Sequence, residues 1–420
     1  MADLMIRPGR LCGMVVPPPS KSDAHRALIA ASLAGGISLV RGLPAEDSED
    51  ITATRRCLTA LTDIAAPFAD GAIRLDCGES GTTLRLLIPI AAALGFGRER
   101  PVIFTGTGRL PRRPLGEYTG IFAGHGLELV FPAGGTLPLT LRGQLHSGEF
   151  SVPGHVSSQY ISGLLFALPL LAGDSVIHLT SPLESAPYVE MTLRTLRAFG
   201  ISARPETGDD GLPVAFHVPG SQKYRPAEYQ VEKDYSQAAF WLTAAYSGSQ
   251  LTVSGLSPDS AQGDRVILSL LDDFKKNRSS YTIDASQIPD LVPVLAVAAA
   301  LTPAETRIIK ASRLRSKESD RLAATEDALR SIGAQIRQTA DGLVIAGGTP
   351  LPGGSADSWA DHRIAMALAI AALTTRDGVL IHKAEAVRKS YPEFFREFRR
   401  LGGECDGLDL GSASENQHLW

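Results

Sequence analysis

Apolar positions along the chain gather into six Ala/Leu-rich blocks, each long enough for a buried helix. They are Ser22–Leu33, Thr82–Leu94, Ser158–Leu171, Tyr235–Tyr246, Leu291–Leu301 and His362–Leu373. After each block comes a short β-type segment that ends in a small residue and a turn. These segments are Ile37–Gly42, Val102–Gly106, Val176–Ser181, Leu251–Gly255, Arg307–Ala311 and Val379–Ala384. At least four of them lead into a more charged, amphipathic stretch. In Tyr188–Phe199 the residues Val189, Leu193 and Leu196 share a helix face, with Glu190, Arg194 and Arg197 beside it. Gly200 then stands where a helix C-cap belongs. Asp320–Ile332 ends in the same way at Gly333, and Pro392–Leu401 at Gly402.

The unit is therefore buried helix, strand, turn, amphipathic helix, then a strand or two. It recurs at intervals of roughly 55–75 residues, too long for a solenoid and suited to a repeated subdomain. Any α/β protein alternates such elements; the constant order from end to end is what favours a true repeat.

With 420 residues, the chain has room for two or three domains. Hydrophobic residues at 44% and charged residues at 20% mark a globular protein and exclude a disordered one. The formal charge of −4 leaves no global basic field, so an anion must be held by a local cluster. The same charge, with 6% aromatics, argues against a nucleic-acid partner. Cys12, Cys57, Cys77 and Cys405 form no C-x-x-C pair, which suits a reducing compartment. The apolar blocks fall short of the roughly 18 residues a membrane span needs, and no Arg/Ser-rich leader is present. The expectation is a cytoplasmic protein with no membrane partner.

The chemistry sits where the buried helices begin. Their first residues are Lys21-Ser22, Gly81-Thr82, Ser157-Ser158-Gln159, Asp234-Tyr235-Ser236, Asp290 and Asp361-His362-Arg363. N-capping explains the Ser, Thr and Asp residues. It does not explain Lys21, Gln159 or Arg363. A helix N-terminus presents free N–H groups and a partial positive charge, so several converging on one cleft make an anion site. Gly78-Glu79-Ser80-Gly81-Thr82, followed by Arg85, lets backbone approach a phosphate closely, but it lacks the G-K-[ST] ending of a P-loop. No G-x-G-x-x-G opens a dinucleotide fold either. Further basic clusters lie at Arg109–Pro114, Arg313–Arg321 and Arg388–Pro392. Lys21, Asp290 and Glu318 stand beside these candidate anion sites as acid–base groups. The histidines show no metal-ligand spacing.

The motifs resemble those of the enolpyruvyl transferases, and within them the branch that acts on shikimate 3-phosphate. They are P-S-K-S-D-A-H-R-A at Pro19–Ala27, G-E-S-G-T-T-L-R at Gly78–Arg85, R-R-P-L-G at Arg112–Gly116, S-S-Q-Y at Ser157–Tyr160, and S-A-P-Y at Ser185–Tyr188. I-P-D at Ile288–Asp290, S-K-E-S-D-R at Ser316–Arg321, D-H-R-I-A at Asp361–Ala365 and K-S-Y-P at Lys389–Pro392 follow in the family's order. The resemblance implies an α/β (α+β) fold of two similar domains. Each has three β/α subunits whose helix N-termini point to the interdomain cleft. The chain is expected to cross near Pro19-Ser20 and Val231-Glu232. One domain is then continuous (20–231) and the other discontinuous (1–19 and 232–420).

The implied reaction moves the enolpyruvyl group of phosphoenolpyruvate to the 5-hydroxyl of shikimate 3-phosphate, with no metal or organic cofactor and a monomeric enzyme. By resemblance, Lys21, Ser22, Arg26, Ser157, Ser158, Gln159, Ser185, Tyr188, Asp290, Arg313 and Lys317 would hold shikimate 3-phosphate. Lys21, Gly81, Arg113, Gln159, Arg321, Arg363 and Lys389 would hold phosphoenolpyruvate. Asp290, Glu318 and Lys21 would be catalytic.

The chain departs from the family's pattern at three positions. Glu79 replaces a common Asn, Arg313 another Asn, and Leu86 a Pro after the loop arginine. Gly81 matches the glyphosate-sensitive form, while Leu86 departs from it. Two rival readings are weaker. The UDP-N-acetylglucosamine branch uses a loop cysteine, and Arg109–Pro114 has none. An RNA-binding β/α repeat would need basic and aromatic residues interleaved. The segment Glu404–Trp420 has no counterpart and reads as peripheral.

Overall fold

The computed structural model describes residues 3–44, 46–62, 71–209, 211–276 and 278–407. The chain opens with β1 (Leu4–Ile6) and β2 (Cys12–Val15). A first series follows: α1 (Lys21–Leu33), β3 (Leu39–Arg41), α2 (Glu49–Thr62), β4 (Ile73–Asp76), α3 (Gly81–Ala93), β5 (Val102–Thr105), α4 (Glu117–Ile121) and β6 (Leu127–Val130). It continues with β7 (Leu139–Gly143), β8 (Glu149–Val152), α5 (Ser158–Ala167), β9 (Ser175–Leu179), α6 (Ala186–Ala198), β10 (Arg204–Thr207), β11 (Pro213–Val218) and β12 (Glu228–Gln230). The second series begins α7 (Tyr235–Tyr246), β13 (Gln250–Val253), α8 (Ile267–Phe274), β14 (Ser280–Asp284), α9 (Val292–Leu301), β15 (Glu305–Ile309) and α10 (Arg321–Ser331). It ends β16 (Gln335–Gln338), β17 (Leu343–Ala346), β18 (Gly354–Asp357), α11 (His362–Ala372), β19 (Val379–His382), α12 (Phe394–Arg400) and β20 (Cys405–Asp406).

All six apolar blocks form helices, and all six β-type segments contain strands. Boundaries differ where proline intervenes. The third block ends as an α-helix at Ala167, and Leu168–Leu170, with Pro169 inside it, continues as a 3-10 turn. The fifth begins with a 3-10 turn, Pro289–Leu291, so Asp290 sits in that turn ahead of α9. Gly200, Gly333 and Gly402 follow α6, α10 and α12 with φ of +77°, +99° and +94°, the left-handed conformation in which glycine carries no Cβ penalty.

Four sheets share one topology. Their strand orders are β4-β5-β7-β6, β8-β9-β11-β10, β14-β15-β17-β16 and β18-β19-β1-β20. In each, the first two strands run parallel around a buried helix, and the remaining pairings are antiparallel. The last sheet takes its third strand in that order, β1, from the chain's start. It also takes β20 from the segment expected to be peripheral: Ile6 pairs with Cys405 and Met5 with Asp406. Residues 408–420 of that segment lie outside the described residues.

The two remaining βαβ units exchange strands. The segments β2-α1-β3 and β12-α7-β13 would each pair their own ends, yet β12 pairs with β3 and β2 with β13, both parallel. The chain therefore passes between halves after β2 and again after β12. The two passages run side by side. Ser20 donates its N–H to the Glu232 carbonyl at 2.7 Å, and Asp234 to that of Pro18 at 2.9 Å. Two apolar cores result, one from residues 29–224 and one from residues 4–15 and 235–405. The fold is a two-domain α/β architecture of repeated β/α subunits. Among the described residues no helix is long and apolar enough to cross a membrane.

In the first core, α3 and α5 meet at Gly163. A Cβ there would stand 2.7 Å from the Arg85 carbonyl oxygen and 2.8 Å from Pro89 Cγ, so backbone itself would have to yield. Gly163→Val is expected to destabilise the chain by about 1–3 kcal/mol, read from urea or thermal unfolding. A variant as stable as the parent would mean the two helices do not pack at this separation.

Candidate functional site

The starts of the six buried helices meet around one cavity of about 350 Å³ between the two halves. Ser20, Ser80, Ser157, Asp234 and Asp361 are the N-caps of α1, α3, α5, α7 and α11, each accepting a backbone N–H in its first turn. The capping reading of these residues therefore holds alongside the binding one. Capping leaves the residues just after the cap at the cavity wall, and there stand Lys21, Gly81, Ser158 and, two after its cap, Arg363. Eight lysines and arginines line the wall against six aspartates and glutamates, a local excess of positive charge in a chain of net −4. Dipoles from the helix starts add to it.

The first half contributes a polar ladder. Arg85 Nη1 donates to Gln159 Oε1 at 2.9 Å, and Gln159 Nε2 to Thr82 Oγ1 at 2.9 Å. Lys21 Nζ lies 2.6 Å from Asp50 Oδ2. Gly81 is closed in by arginines: a Cβ would come within 2.6 Å of Arg113 Nη1 and 2.9 Å of Arg85 Nη1. Arg26 spends its donors internally, on Thr192 Oγ1 at 2.8 Å and on the Ser22 and Tyr188 carbonyls at 2.6 and 2.9 Å.

The second half centres on Arg321, which is 1% exposed and reaches Asp361 (2.8 Å), Asp290 (2.8 Å) and Glu318 (2.6 Å). Asp290 also faces Arg363 at 3.2 Å and Lys317 at 4.0 Å. Burial would raise the Asp290 carboxyl, but Arg363, Lys317 and Arg321 together hold it well below the usual carboxylate range. Glu318 behaves alike: burial opposes ionisation, and Arg321 and Arg113 outweigh it. Lys317 goes the other way. Burial, with Arg321 and Arg313 nearby, brings it down to about 8 despite Asp290 and Glu318. Burial takes His362 to about 3, so its imidazole is neutral.

Polar contacts join the halves across the cavity. Tyr188 donates its hydroxyl to Asp290 Oδ2 at 2.9 Å. Arg313 reaches Glu184 at 3.0 Å and Ser185 Oγ at 2.8 Å. Arg113 lies 3.6 Å from Glu318.

Of the residues assigned from the sequence, Lys21, Ser22, Arg26, Gly81, Arg113, Ser157, Ser158 and Gln159 line the cavity from the first half, with Ser185 and Tyr188. Asp290, Arg313, Lys317, Glu318, Arg321 and Arg363 line it from the second. Lys389 does not. Its ammonium is held 2.6 Å from Glu79 Oε2 and 3.1 Å from the Ala360 carbonyl. The Glu79 substitution explains this, because a carboxylate captures a nearby ammonium where an amide would not. Sequence reasoning missed Asp50, Glu184 and Asp264. Asp50 ends the acidic run Glu46–Asp50 and Glu184 and Asp264 stand alone, none with motif spacing, and only the three-dimensional pairing with Lys21, Arg313 or Ser236 exposes them.

The architecture is that of the enolpyruvyl transferases. An EPSP synthase from Acinetobacter baumannii superimposes with a TM-score of 0.76 at 25% identity, over 97% of this chain and 100% of that one. The enolpyruvyl transferase NikO from Streptomyces tendae shares the fold, with a TM-score of 0.73 at 17% identity over 97% and 98% of the two chains. The family described as EPSP synthase (3-phosphoshikimate 1-carboxyvinyltransferase) matches residues 6–398. Relatives called 3-phosphoshikimate 1-carboxyvinyltransferase include one from Clostridium kluyveri, 43% identical over 98% of this chain and 100% of its own. Another, from Clostridium acetobutylicum, is 41% identical over 97% and 99%. This chain belongs to the EPSP synthase family.

Lys317 makes a pH dependence of opposite signs in binding and stability. It is charged below about 8 and loses its charge above, so sulfate affinity should fall as pH rises through 8. Because its ordinary value is 10.5, the unfolded chain holds the proton longer, and this residue's contribution to stability should rise between pH 8 and 10.5. Calorimetric sulfate titrations and unfolding midpoints, compared with Lys317→Met, check both signs. Identical pH profiles for the two proteins would refute the assignment.

Proposed function

We propose that this chain is a transferase that moves the enolpyruvyl group of phosphoenolpyruvate onto the 5-hydroxyl of shikimate 3-phosphate. The products are 5-enolpyruvylshikimate 3-phosphate and phosphate. The observation that carries the reading is the cavity itself. Six helix starts and eight cationic side chains surround two ionised carboxylates, Asp290 and Glu318, which share one buried arginine. Both proposed substrates are multiply anionic, and the reaction needs proton donors and acceptors at fixed points.

In this reading the methylene carbon of phosphoenolpyruvate takes a proton, and its central carbon becomes electrophilic. The 5-hydroxyl oxygen bonds to that carbon as its own proton passes to Asp290, giving a tetrahedral intermediate. A methyl proton then leaves and the bond to phosphate breaks, restoring the double bond. Glu318 handles the proton on carbon: Lys21 supplies the proton that it delivers to the methylene carbon, and in the elimination Glu318 takes the methyl proton while Lys21 balances the charge beside it. Lys21, Ser22, Arg26, Ser157, Ser158, Gln159, Ser185, Tyr188, Asp290, Arg313 and Lys317 are proposed to hold shikimate 3-phosphate. Lys21, Gly81, Arg113, Gln159, Arg321 and Arg363 would hold phosphoenolpyruvate. Lys389 would join them by exchanging Glu79 for the substrate's anion.

The depressed Asp290 carboxyl has a consequence for timing. Without substrate its cationic neighbours make it a weak base. Anionic groups drawn to Arg363, Lys317 and Arg321 weaken that hold, so the base strengthens only once the cavity is filled. The crossings near Pro19-Ser20 and Val231-Glu232 serve as the proposed hinge, with 20–231 moving against 1–19 plus 232–420.

Phosphate release from purified protein tests the function: it should require both substrates together. Asp290→Asn should lower kcat by about 10²–10⁴ while both KM values stay within a few-fold. Near-normal turnover in that variant would remove Asp290 from the chemistry.

A further inference from the structure

Beneath the cavity floor lies a chain of buried hydrogen bonds that the reaction scheme does not use. His25 Nδ1 is 2.7 Å from Thr54 Oγ1, which is 2.7 Å from Thr83 Oγ1, which donates to Ser80 Oγ at 2.7 Å. Ser80 Oγ also accepts the Thr83 N–H at 3.2 Å, the capping bond of α3. All four side chains are at most 1% exposed. Each hydroxyl has a single proton to give. With Thr83 donating to Ser80, Thr54 must donate to Thr83, and His25 must donate from Nδ1. Burial, with Lys21 and Arg26 close by, keeps the imidazole neutral, which leaves His25 Nε2 a bare acceptor without a partner.

The relay ties together the helices whose first turns supply the smaller anion's surroundings. His25 lies one turn after Lys21 on α1, Thr54 one turn after Asp50 on α2, and Thr83 beside Thr82 on α3. The Lys21–Asp50 pair at the cavity surface is thus backed, one turn deeper, by a second cross-link that continues to the α3 cap. A purely stabilising role does not need these hydroxyls. Buried polar partners replaced together by apolar groups of the same shape cost little, and Val has the shape of Thr. What hydroxyls add is directional: fixed separations of about 2.7 Å between three helices. Gly81 and Arg85 ride on α3, and Gly81 has no slack against Arg113.

We infer that the His25–Thr54–Thr83–Ser80 relay is a positioning device. It sets the depth of the α3 N-terminus beside Lys21, and so the affinity for the phosphate of the three-carbon substrate. The inference deepens the proposed function and rests on it for the naming of that substrate.

The test uses the full chain with Thr54→Val, Thr83→Val, the double variant and Thr54→Ser. Inorganic phosphate binding is measured by calorimetry, and KM for each substrate from turnover. Each valine variant should weaken phosphate and raise KM for phosphoenolpyruvate by about fivefold, with KM for shikimate 3-phosphate within twofold. The double variant should lose no more than either single one, and Thr54→Ser should retain parental values. Unchanged phosphate affinity in the valine variants, equal shifts for both substrates, or additive losses would overturn the inference. So would failure of both valine variants to fold, since the hydroxyls would then be needed for stability itself. A parent protein without turnover would refute the proposed function, while the phosphate titrations would still decide the relay.

Discussion

Taking a guanidinium out of water costs several kcal/mol unless its donors and charge are matched. Arg321 is 1% exposed, and its match comes from three carboxylates on three separate pieces of chain: Glu318 before α10, Asp290 in the turn before α9, and Asp361 at the cap of α11. Loss of one partner from such a set costs about 3–5 kcal/mol. The three helix starts are therefore locked to a common point. Asp361 shows how tightly the parts interlock, because the same carboxylate accepts from Arg321, from Ser319 and from the Arg363 backbone.

This lock gives the second half of the cavity its electrostatic character. Ionised carboxylates persist there although burial opposes them, and burial, with Arg321 and Arg313 nearby, brings Lys317 down to about 8. The first half is arranged differently. Its cations meet hydroxyls, amides and carbonyls more than acids, as Arg26 and Arg85 do, so they keep charge available for a ligand. One wall is thus built of paired charges and the other of cations held by neutral partners.

Bringing the walls together is a matter of topology. Exchange of β2 and β12 between the two odd βαβ units sends the chain across twice, in adjacent antiparallel passages. The two short crossings leave each apolar core on its own side. Across the cleft, Tyr188–Asp290, Arg313–Glu184 and Lys389–Glu79 are polar contacts at the rim or wall rather than apolar packing.

Periodicity and punctuation carried the local structure. The six apolar blocks are helices because their residues must leave water on nearly every face, and Gly200, Gly333 and Gly402 end helices because a left-handed residue closes them with least strain. Much of the site was legible too, since Lys21, Gln159 and Arg363 stand at helix starts where capping alone would not choose them. The sequence did not show that Cys405-Asp406 completes a sheet with the chain's first strand, or that β2 and β12 trade partners. Both pairings join residues more than 180 positions apart, and short strands hold no sequence record of which edge they meet. Nor did it show which cation Glu79 holds, or that Asp50, Glu184 and Asp264 belong to the cavity. Motif and spacing report what a residue can do along its own helix or strand. Which charge neutralises which is decided by desolvation after the two halves come together, and that energy exists only in the folded molecule.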